Sequence, residues 1–223
     1  MLRAAWLVLH KDLRIELRTG EVVITTTLFA SLVAVITSLS FYIDADSARE
    51  VAPGVLWVAM AFAGVLAMSR SWSRERENDA FRGLLLAPIP RPAIYLGKTL
   101  GTLLFLSLVE CALVLEVAVL FNLDLRHTWP VLAALLALGS IGFAATGNLF
   151  AAMGVRTGAR DMVLAVALFP IIAPTLLSGV VATRELLGGA PLHELWGWIR
   201  ILAAFDILFV TAGALLFETL VCD

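Results

Sequence analysis

The feature that most constrains this chain is its series of long apolar runs. A helix needs about 20 mostly apolar residues to cross the hydrocarbon core of a bilayer. The sequence has room for six such helices, at about residues 22–43, 51–69, 93–120, 131–153, 162–183 and 199–220. Only 15% of the residues are charged, against roughly a quarter in soluble domains. We therefore predict an all-α integral membrane protein in which residues 1–223 form a single transmembrane domain.

Residues 1–21 precede the first apolar run and differ from it in composition. They mix both charge signs with apolar residues, so we do not expect a cleavable signal peptide. Apolar side chains recur at spacings of three and four, at Leu2, Trp6, Leu9, Leu13 and Leu17. This pattern predicts an amphipathic helix lying in the membrane interface. A contact with a partner protein is the alternative interpretation.

Lysine and arginine are distributed unequally over the two sides of the predicted bundle. Of the 16 such residues, twelve lie before the first span, between the second and third spans, or between the fourth and fifth. The opposite side holds four, namely Arg49, Arg126, Arg184 and Arg200. Because cytoplasmic loops carry the excess of Lys and Arg, we expect both termini and residues 74–98 to lie in the cytoplasm.

Residues 74–98 read RERENDAFRGLLLAPIPRPAIYLGK and hold the densest charges of the chain. Phe81, Leu84 and Leu85 stand at positions i, i+3 and i+4, which form one stripe on a helix. Acidic residues precede the stripe, and three prolines after it prevent a continuous helix into the next span. We predict a short, separate amphipathic helix held at the membrane surface. Either it seals the bundle at the membrane surface, or its ridge docks in the groove of a soluble partner.

Three carboxylates fall inside predicted spans, where a charge costs about 2.5–3.5 kcal/mol at the helix centre. They are Glu110, Glu116 and Asp206. Glu116 lies about 240° around the helix from Glu110, so the two do not share a face. Each carboxyl either bonds to a Ser, Thr or Asn148 inside the bundle or takes part in substrate passage or proton coupling.

Other local patterns concern helix shape and helix packing. Pro170 and Pro174 lie within the fifth span and bend it, as a hinge or as a fixed shape. Gly97 and Gly101 form a small-xxx-small pair that is typical of close helix packing. No catalytic or metal-binding set is found, since the GKT of residues 97–99 lacks the remainder of a phosphate-binding loop and His193 lacks the second histidine of an HExxH motif. We expect neither an enzyme nor a nucleic-acid partner.

Five segments together resemble the heme exporter protein B (CcmB) family. They are AREVAPGVLWVA, LLLAPIPRPAIYLGK, LGSIGFAATGNLFAAMGVRTGARD, LFPIIAPTLL and AAFDILFVTAGALLFE, in this order over nearly the whole chain. The combination is specific, whereas each single segment is less so. This family is the ABC-2 exporter-type permease subunit of the cytochrome c maturation system.

The resemblance implies a non-catalytic subunit of an ABC-type complex in the bacterial inner membrane. ATP would be hydrolysed by a separate ATPase subunit (CcmA-like), beside a heme-handling membrane protein (CcmC-like), a small single-span protein (CcmD-like) and a second permease copy. No cofactor is expected to be covalently bound, and heme is the ligand that is transported or handled. ATP hydrolysis would drive heme transport or release of the heme-loaded periplasmic chaperone. Export of a drug, lipid or polysaccharide is the alternative.

The resemblance also implies that residues 77–87 form the coupling helix that contacts the ATPase. Its contact residues would be Glu77, Asp79, Phe81, Arg82, Leu84 and Leu85. Asp79, Arg82 and the nearby Ser69 depart from the pattern common in relatives, which leaves the individual contacts less defined than the docking role.

Residues 184–200 fall on the predicted periplasmic side and combine aromatic and basic residues. His193, Trp196 and Trp198, with an arginine, have the chemistry to contact a flat apolar dicarboxylate such as heme. We favour the alternative that the tryptophans belong to the aromatic belt at the membrane interface.

Overall fold

The computed structural model describes residues 1–40, 45–76, 80–157 and 160–222. For residues 45, 46, 48, 49, 76, 81, 82, 85, 154–157, 160–167 and 220–222 it gives the helical backbone alone. The described residues form eight α-helices and no strand, which confirms the all-α class. The helices are α1 (Leu2–Thr19), α2 (Glu21–Ser40), α3 (Ala45–Arg76), α4 (Ala80–Leu86), α5 (Arg91–Leu120), α6 (Trp129–Thr157), α7 (Arg160–Leu187) and α8 (Leu192–Cys222).

Six of these helices are long and apolar enough to cross a membrane, as predicted. Their apolar segments are Glu21–Ser40, Glu50–Glu75, Arg91–Leu120, Trp129–Met153, Leu168–Leu187 and Leu192–Thr219. The second span, α3, runs past both of its predicted ends, because the charges of its last turns pair with side chains of α1, α2 and α5 instead of ending the helix. The last helix starts at Leu192, so the predicted start at residue 199 is wrong. Residues 41–43 of the first predicted span lie outside the described residues.

Helix α6 is central to the bundle and packs against α3, α5, α7 and α8. Trp57 on α3 is fully buried and reaches between α6 and α7. A Cβ at Gly139 or Gly179 would lie 2.3 or 2.4 Å from the Trp57 ring, so only glycine leaves room for it. The indole nitrogen donates a hydrogen bond to Thr183 Oγ1 at 2.9 Å. One large side chain thereby joins three helices in the core.

Helix α1 is separated from the first span by a sharp turn at Gly20. Gly20 takes a left-handed conformation with φ of 61°, and its N–H donates to the Glu16 carbonyl at 2.7 Å. The helix then packs along α5, where a Cβ at Gly97 would lie 2.7 Å from the Ala5 carbonyl oxygen. The predicted small-residue pair, Gly97 and Gly101, is thus the place where α1 packs against α5. Leu2 and Leu17 of the predicted stripe remain exposed, as an interfacial helix requires.

Candidate functional site at the α4 end of the bundle

Helix α4 (Ala80–Leu86) is a single short element between two long spans, as the proline pattern predicts. It contacts the end of α3. Leu84 is half-buried and packs against an apolar core formed by residues of α3, α5, α6, α7 and α8. Leu86 is 87% exposed and is the most exposed large apolar side chain described on α4. Of the two leucines whose side chains are described on this helix, Leu84 packs against the bundle and Leu86 faces outward.

The structure describes only part of the predicted contact set on this helix. Glu77 and Asp79 lie outside the described residues. Phe81, Arg82 and Leu85 lie on α4, but only their backbone is described. Leu84 is not the free surface position that the predicted ridge needs, because it packs inward. Sequence reasoning missed Leu86, whose exposure follows from its position at the end of the helix just before the prolines.

A buried ion cluster joins α1, α3 and α5 beside α4. Lys98 on α5 is only 1% exposed. Its Nζ lies 2.9 Å from Asp12 Oδ2 on α1 and also donates to Glu75 Oε1 on α3. Lys11 donates to the same Glu75 oxygen. A charge in so apolar a setting is tolerated only when it is paired, so this contact fixes three helices relative to one another.

A second group of ion pairs continues the cluster towards α2. Arg74 Nη1 lies 3.1 Å from Glu16 Oε2, and Arg74 Nη2 lies 3.1 Å from Glu21 Oε2. Arg70 pairs with the other oxygen of Glu21 at 3.2 Å. Glu16 Oε1 accepts the backbone N–H of Val23 at 2.8 Å, which satisfies a free donor at the start of α2. The end of α3 is thus tied to the turn between α1 and α2.

The two groups form one cluster in which four basic side chains face four acidic ones. Its members are Lys11, Arg70, Arg74, Lys98, Asp12, Glu16, Glu21 and Glu75. Burial lowers the pKa of Lys11, but the carboxylates of Asp12 and Glu75 outweigh it and hold the pKa above its ordinary value. The Lys11 ion pairs therefore persist at neutral pH, and their contribution is lost only in strongly alkaline solution.

A cavity of about 140 Å³ lies beside the ion cluster and reaches Ala80, the first residue of α4. Lys11, Arg74 and Glu75 line it. Glu75 Oε2 is buried and has no hydrogen-bond partner among the described residues. The cavity is large enough to hold water. The ion cluster and the start of α4 therefore border a shared cavity instead of packing closely against each other.

A polar chain leads from the ion cluster into the bundle. Lys98 Nζ lies 5.7 Å from the centroid of the Trp72 ring, within the range of a cation–π contact. Trp72 Nε1 donates to Asn148 Oδ1 at 2.8 Å, and Asn148 Nδ2 donates to Thr102 Oγ1 at 3.0 Å. The chain joins α3, α5 and α6. A displacement of Lys98 would therefore change side-chain contacts in all three of these spans.

The structure gives Glu75 a different place from the one that the sequence pattern indicates. The sequence pattern places Glu75 among acids that favour the start of this helix, whereas the structure places it in the last turns of α3, paired with Lys98 and Lys11. Sequence reasoning also missed Asp12 and Glu16. Their spacing of four residues gave a signal, since it puts both acids on one face of α1, away from its arginines.

The predicted intramembrane carboxylates have different surroundings. Glu110 is buried and accepts a hydrogen bond from Ser140 Oγ on α6. Glu116 accepts one from Ser31 Oγ on α2 at 2.6 Å, on another side of α5, as its angle predicts. Asp206 is buried, but neither oxygen has a hydrogen-bond partner among the described residues. Glu110 and Glu116 thus have the kind of side-chain partner that one of the two interpretations requires, whereas Asp206 has no Ser, Thr or Asn148 partner among the described residues. A role in substrate passage or proton coupling stays a prediction.

The predicted heme-contact residues, at the end of the bundle opposite to α4, do not come together in one site. His193, Trp196 and Trp198 lie on the first turns of α8 rather than in a loop. His193 and Trp196 are exposed, whereas Trp198 Nε1 donates to Glu185 Oε2 at 3.0 Å. At about 100° per residue, Trp198 lies about 140° around the helix from His193. The three side chains therefore do not share one face.

Pro170 and Pro174 lie inside α7, which continues as one helix from Arg160 to Leu187. Both prolines are exposed. A hinge role stays a prediction. Among the residues that the structure describes, no group of three or more His, Cys, Asp or Glu is placed to hold a metal ion.

Six spans, a surface helix seated on the bundle and a short helix outside the spans together define a multi-pass helical membrane protein. The chain belongs to the CcmB protein family, whose model matches residues 3–219.

Several curated relatives cover most of the chain. The chain is similar to heme exporter protein B of Bradyrhizobium diazoefficiens, with 26% identity over 81% of each chain. It is 26% identical to heme exporter protein B of Pseudomonas aeruginosa over 85% of this chain and 86% of that protein. The corresponding protein of Paracoccus denitrificans is 26% identical over 82% of this chain and 83% of its own length.

Proposed function

We propose that this chain is the permease subunit of an ABC-type heme exporter complex in cytochrome c maturation. The observation that carries this proposal is the match to the CcmB family over residues 3–219. Relatives named heme exporter protein B align with it over most of both chains. The subunit would couple ATP hydrolysis on a partner chain to heme transport or to release of the heme-loaded periplasmic chaperone.

In this proposal the ATPase subunit docks on α4. The exposed Leu86 and the inward Leu84 support it, since a docking helix must be held to the bundle while it presents an apolar side chain. The ion cluster around Lys98 would carry a movement of α4 and α3 to α1 and α5. The chain through Trp72 and Asn148 would carry it on to α6.

The wider assembly follows the family. We propose a second permease copy, a CcmC-like heme-handling protein and a CcmD-like single-span protein as partners, with ATP bound by the CcmA-like subunit. Heme is the handled ligand, and this chain is a non-catalytic subunit with no covalently bound cofactor. Location in the bacterial inner membrane with both termini cytoplasmic is supported by the twelve basic residues on the α4 side.

Deletion of the gene in the organism that encodes it tests this function. We expect heme-stained c-type cytochromes to be lost and to return when the chain is supplied on a plasmid, with an empty plasmid as control. Accumulation of heme-loaded chaperone in the deletion strain would assign the chain to the release step, whereas heme-free chaperone would assign it to heme transport. Unchanged cytochrome levels in the deletion strain would contradict the proposal and favour export of another substrate.

A further inference from the structure

We propose that α1 is a binding surface for anionic phospholipid headgroups, formed by Arg3, Arg14 and Arg18. The inference concerns the membrane around the protein and does not depend on which substrate is exported. It rests on the distribution of acidic, basic and apolar side chains over three different faces of α1.

The first observation is the separation of charge on α1. Both acidic residues of the helix, Asp12 and Glu16, are buried and paired with α3 and α5. Arg3, Arg14 and Arg18 are exposed. None of the three pairs with a carboxylate among the described residues. The outer surface of α1 therefore carries positive charge alone.

The second observation is the angular position of these faces. At about 100° per residue, the three arginines fall within about 60° of one another and about 180° from the midpoint of Asp12 and Glu16. Arg14 and Arg18 are one turn apart, so their guanidinium groups can flank a single phosphate. The helix thus presents its basic face directly away from the bundle.

The third observation is an apolar stripe that borders the basic face. Leu2, Trp6 and Leu17 are 83%, 60% and 88% exposed and lie between the arginines and the bundle-facing side. A helix with an apolar stripe beside a basic face inserts the stripe among acyl chains and places its cations at headgroup level. A soluble partner would bury the stripe equally, but the helix is already seated against α5, next to the spans. Charge complementarity then favours anionic lipid.

Lipid selectivity of the reconstituted full-length protein tests this proposal. Spin-labelled phosphatidylglycerol and spin-labelled phosphatidylcholine would be compared for the fraction immobilised at the protein surface. Each exposed basic residue near an anionic surface contributes about 1 kcal/mol, or about fivefold in binding. We expect the wild type to prefer phosphatidylglycerol by several-fold, and the preference to fall at 1 M salt.

Two charge-matched variants separate the α1 surface from a general effect of positive charge. Arg14→Gln with Arg18→Gln should remove most of the preference, whereas Arg126→Gln with Arg200→Gln, two exposed arginines elsewhere in the chain, should leave it unchanged. Arg14→Lys with Arg18→Lys keeps the charge and should keep the preference, which guards against misfolding as the cause. A preference retained in the Gln variant would overturn the proposal. Loss of a co-purifying protein subunit from that variant, with unchanged lipid selectivity, would overturn it in favour of a protein partner.

Discussion

At the scale of single residues, the most informative side chain is Lys98. A lysine that is 1% exposed in an apolar bundle is stable only because Asp12 and Glu75 approach it from two other helices. The attraction between these charges offsets the cost of removing them from water, without a large net gain. The cluster therefore specifies the relative positions of three helices more than it adds stability, and removing Lys98 leaves the buried Asp12 and Glu75 with the half-exposed Lys11 in place of a buried partner.

Loss of Lys98 should be strongly destabilising. Lys98→Met leaves Asp12 and Glu75 to share Lys11, and we expect a loss of about 3–5 kcal/mol, the range for breaking a buried pair. Arg70→Gln removes a half-exposed partner of Glu21 and is the control, with an expected effect below about 1 kcal/mol. Thermal unfolding of the purified variants in detergent measures both. Similar melting temperatures for the two variants would show that Lys98 does not stabilise the packing of α1, α3 and α5.

Alanine substitutions of Glu110 and Asp206 should change the melting temperature in opposite directions. Glu110→Ala removes the acceptor of Ser140 and leaves a cavity, so the melting temperature should fall. Asp206→Ala removes an unpaired buried carboxyl, whose desolvation costs about 1–3 kcal/mol, so the melting temperature should rise. A clear fall for Asp206→Ala would indicate that Asp206 has a partner in the folded protein.

At the scale of elements, α1 shows which features could be predicted from the sequence and which depend on tertiary packing. Its amphipathic pattern predicts a surface helix, and the small pair at Gly97 and Gly101 predicts close packing, because both signals are local. That the two belong to the same contact is a matter of tertiary packing. The acids that bind α3 and α5 lie about 80° around α1 from the apolar stripe, so hydrophobic periodicity did not identify the buried face.

Gly97 should be the position of α5 that is least tolerant of a side chain. A Cβ there would approach the Ala5 carbonyl and Val8 to 2.7 Å, and we expect Gly97→Ala to cost about 1–3 kcal/mol and to raise hydrogen exchange in α1. Gly54→Ala is the matched control, since nothing lies within 4 Å of that Cβ. It should be neutral or gain up to about 1 kcal/mol from helix propensity. Equal exchange rates in the two variants would contradict the seating of α1 on α5.

At the scale of the whole molecule, composition was enough to predict six spans, because each apolar run is dictated by membrane thickness. It could not predict the ion cluster, whose members stand up to 87 positions apart in the sequence, from Lys11 to Lys98. Nor could it separate Leu84 from Leu86, since both suit an apolar ridge and only packing decides which one faces outward. The sequence thus specified the helices, and side-chain pairing between distant segments specified the site.

The central claim is that the exposed end of α4 is the docking point for a separate ATPase. Site-specific photocrosslinking in the assembled complex tests it most directly, with a photoreactive amino acid in place of Leu86 and, as control, of Leu192. Both leucines are exposed, at 87% and 51%, but Leu192 lies at the opposite end of the bundle, at the start of α8. We predict a crosslink to the ATPase subunit from position 86 and none from position 192. A complex that contains the ATPase yet gives no crosslink from position 86, or gives one from position 192, would contradict the account.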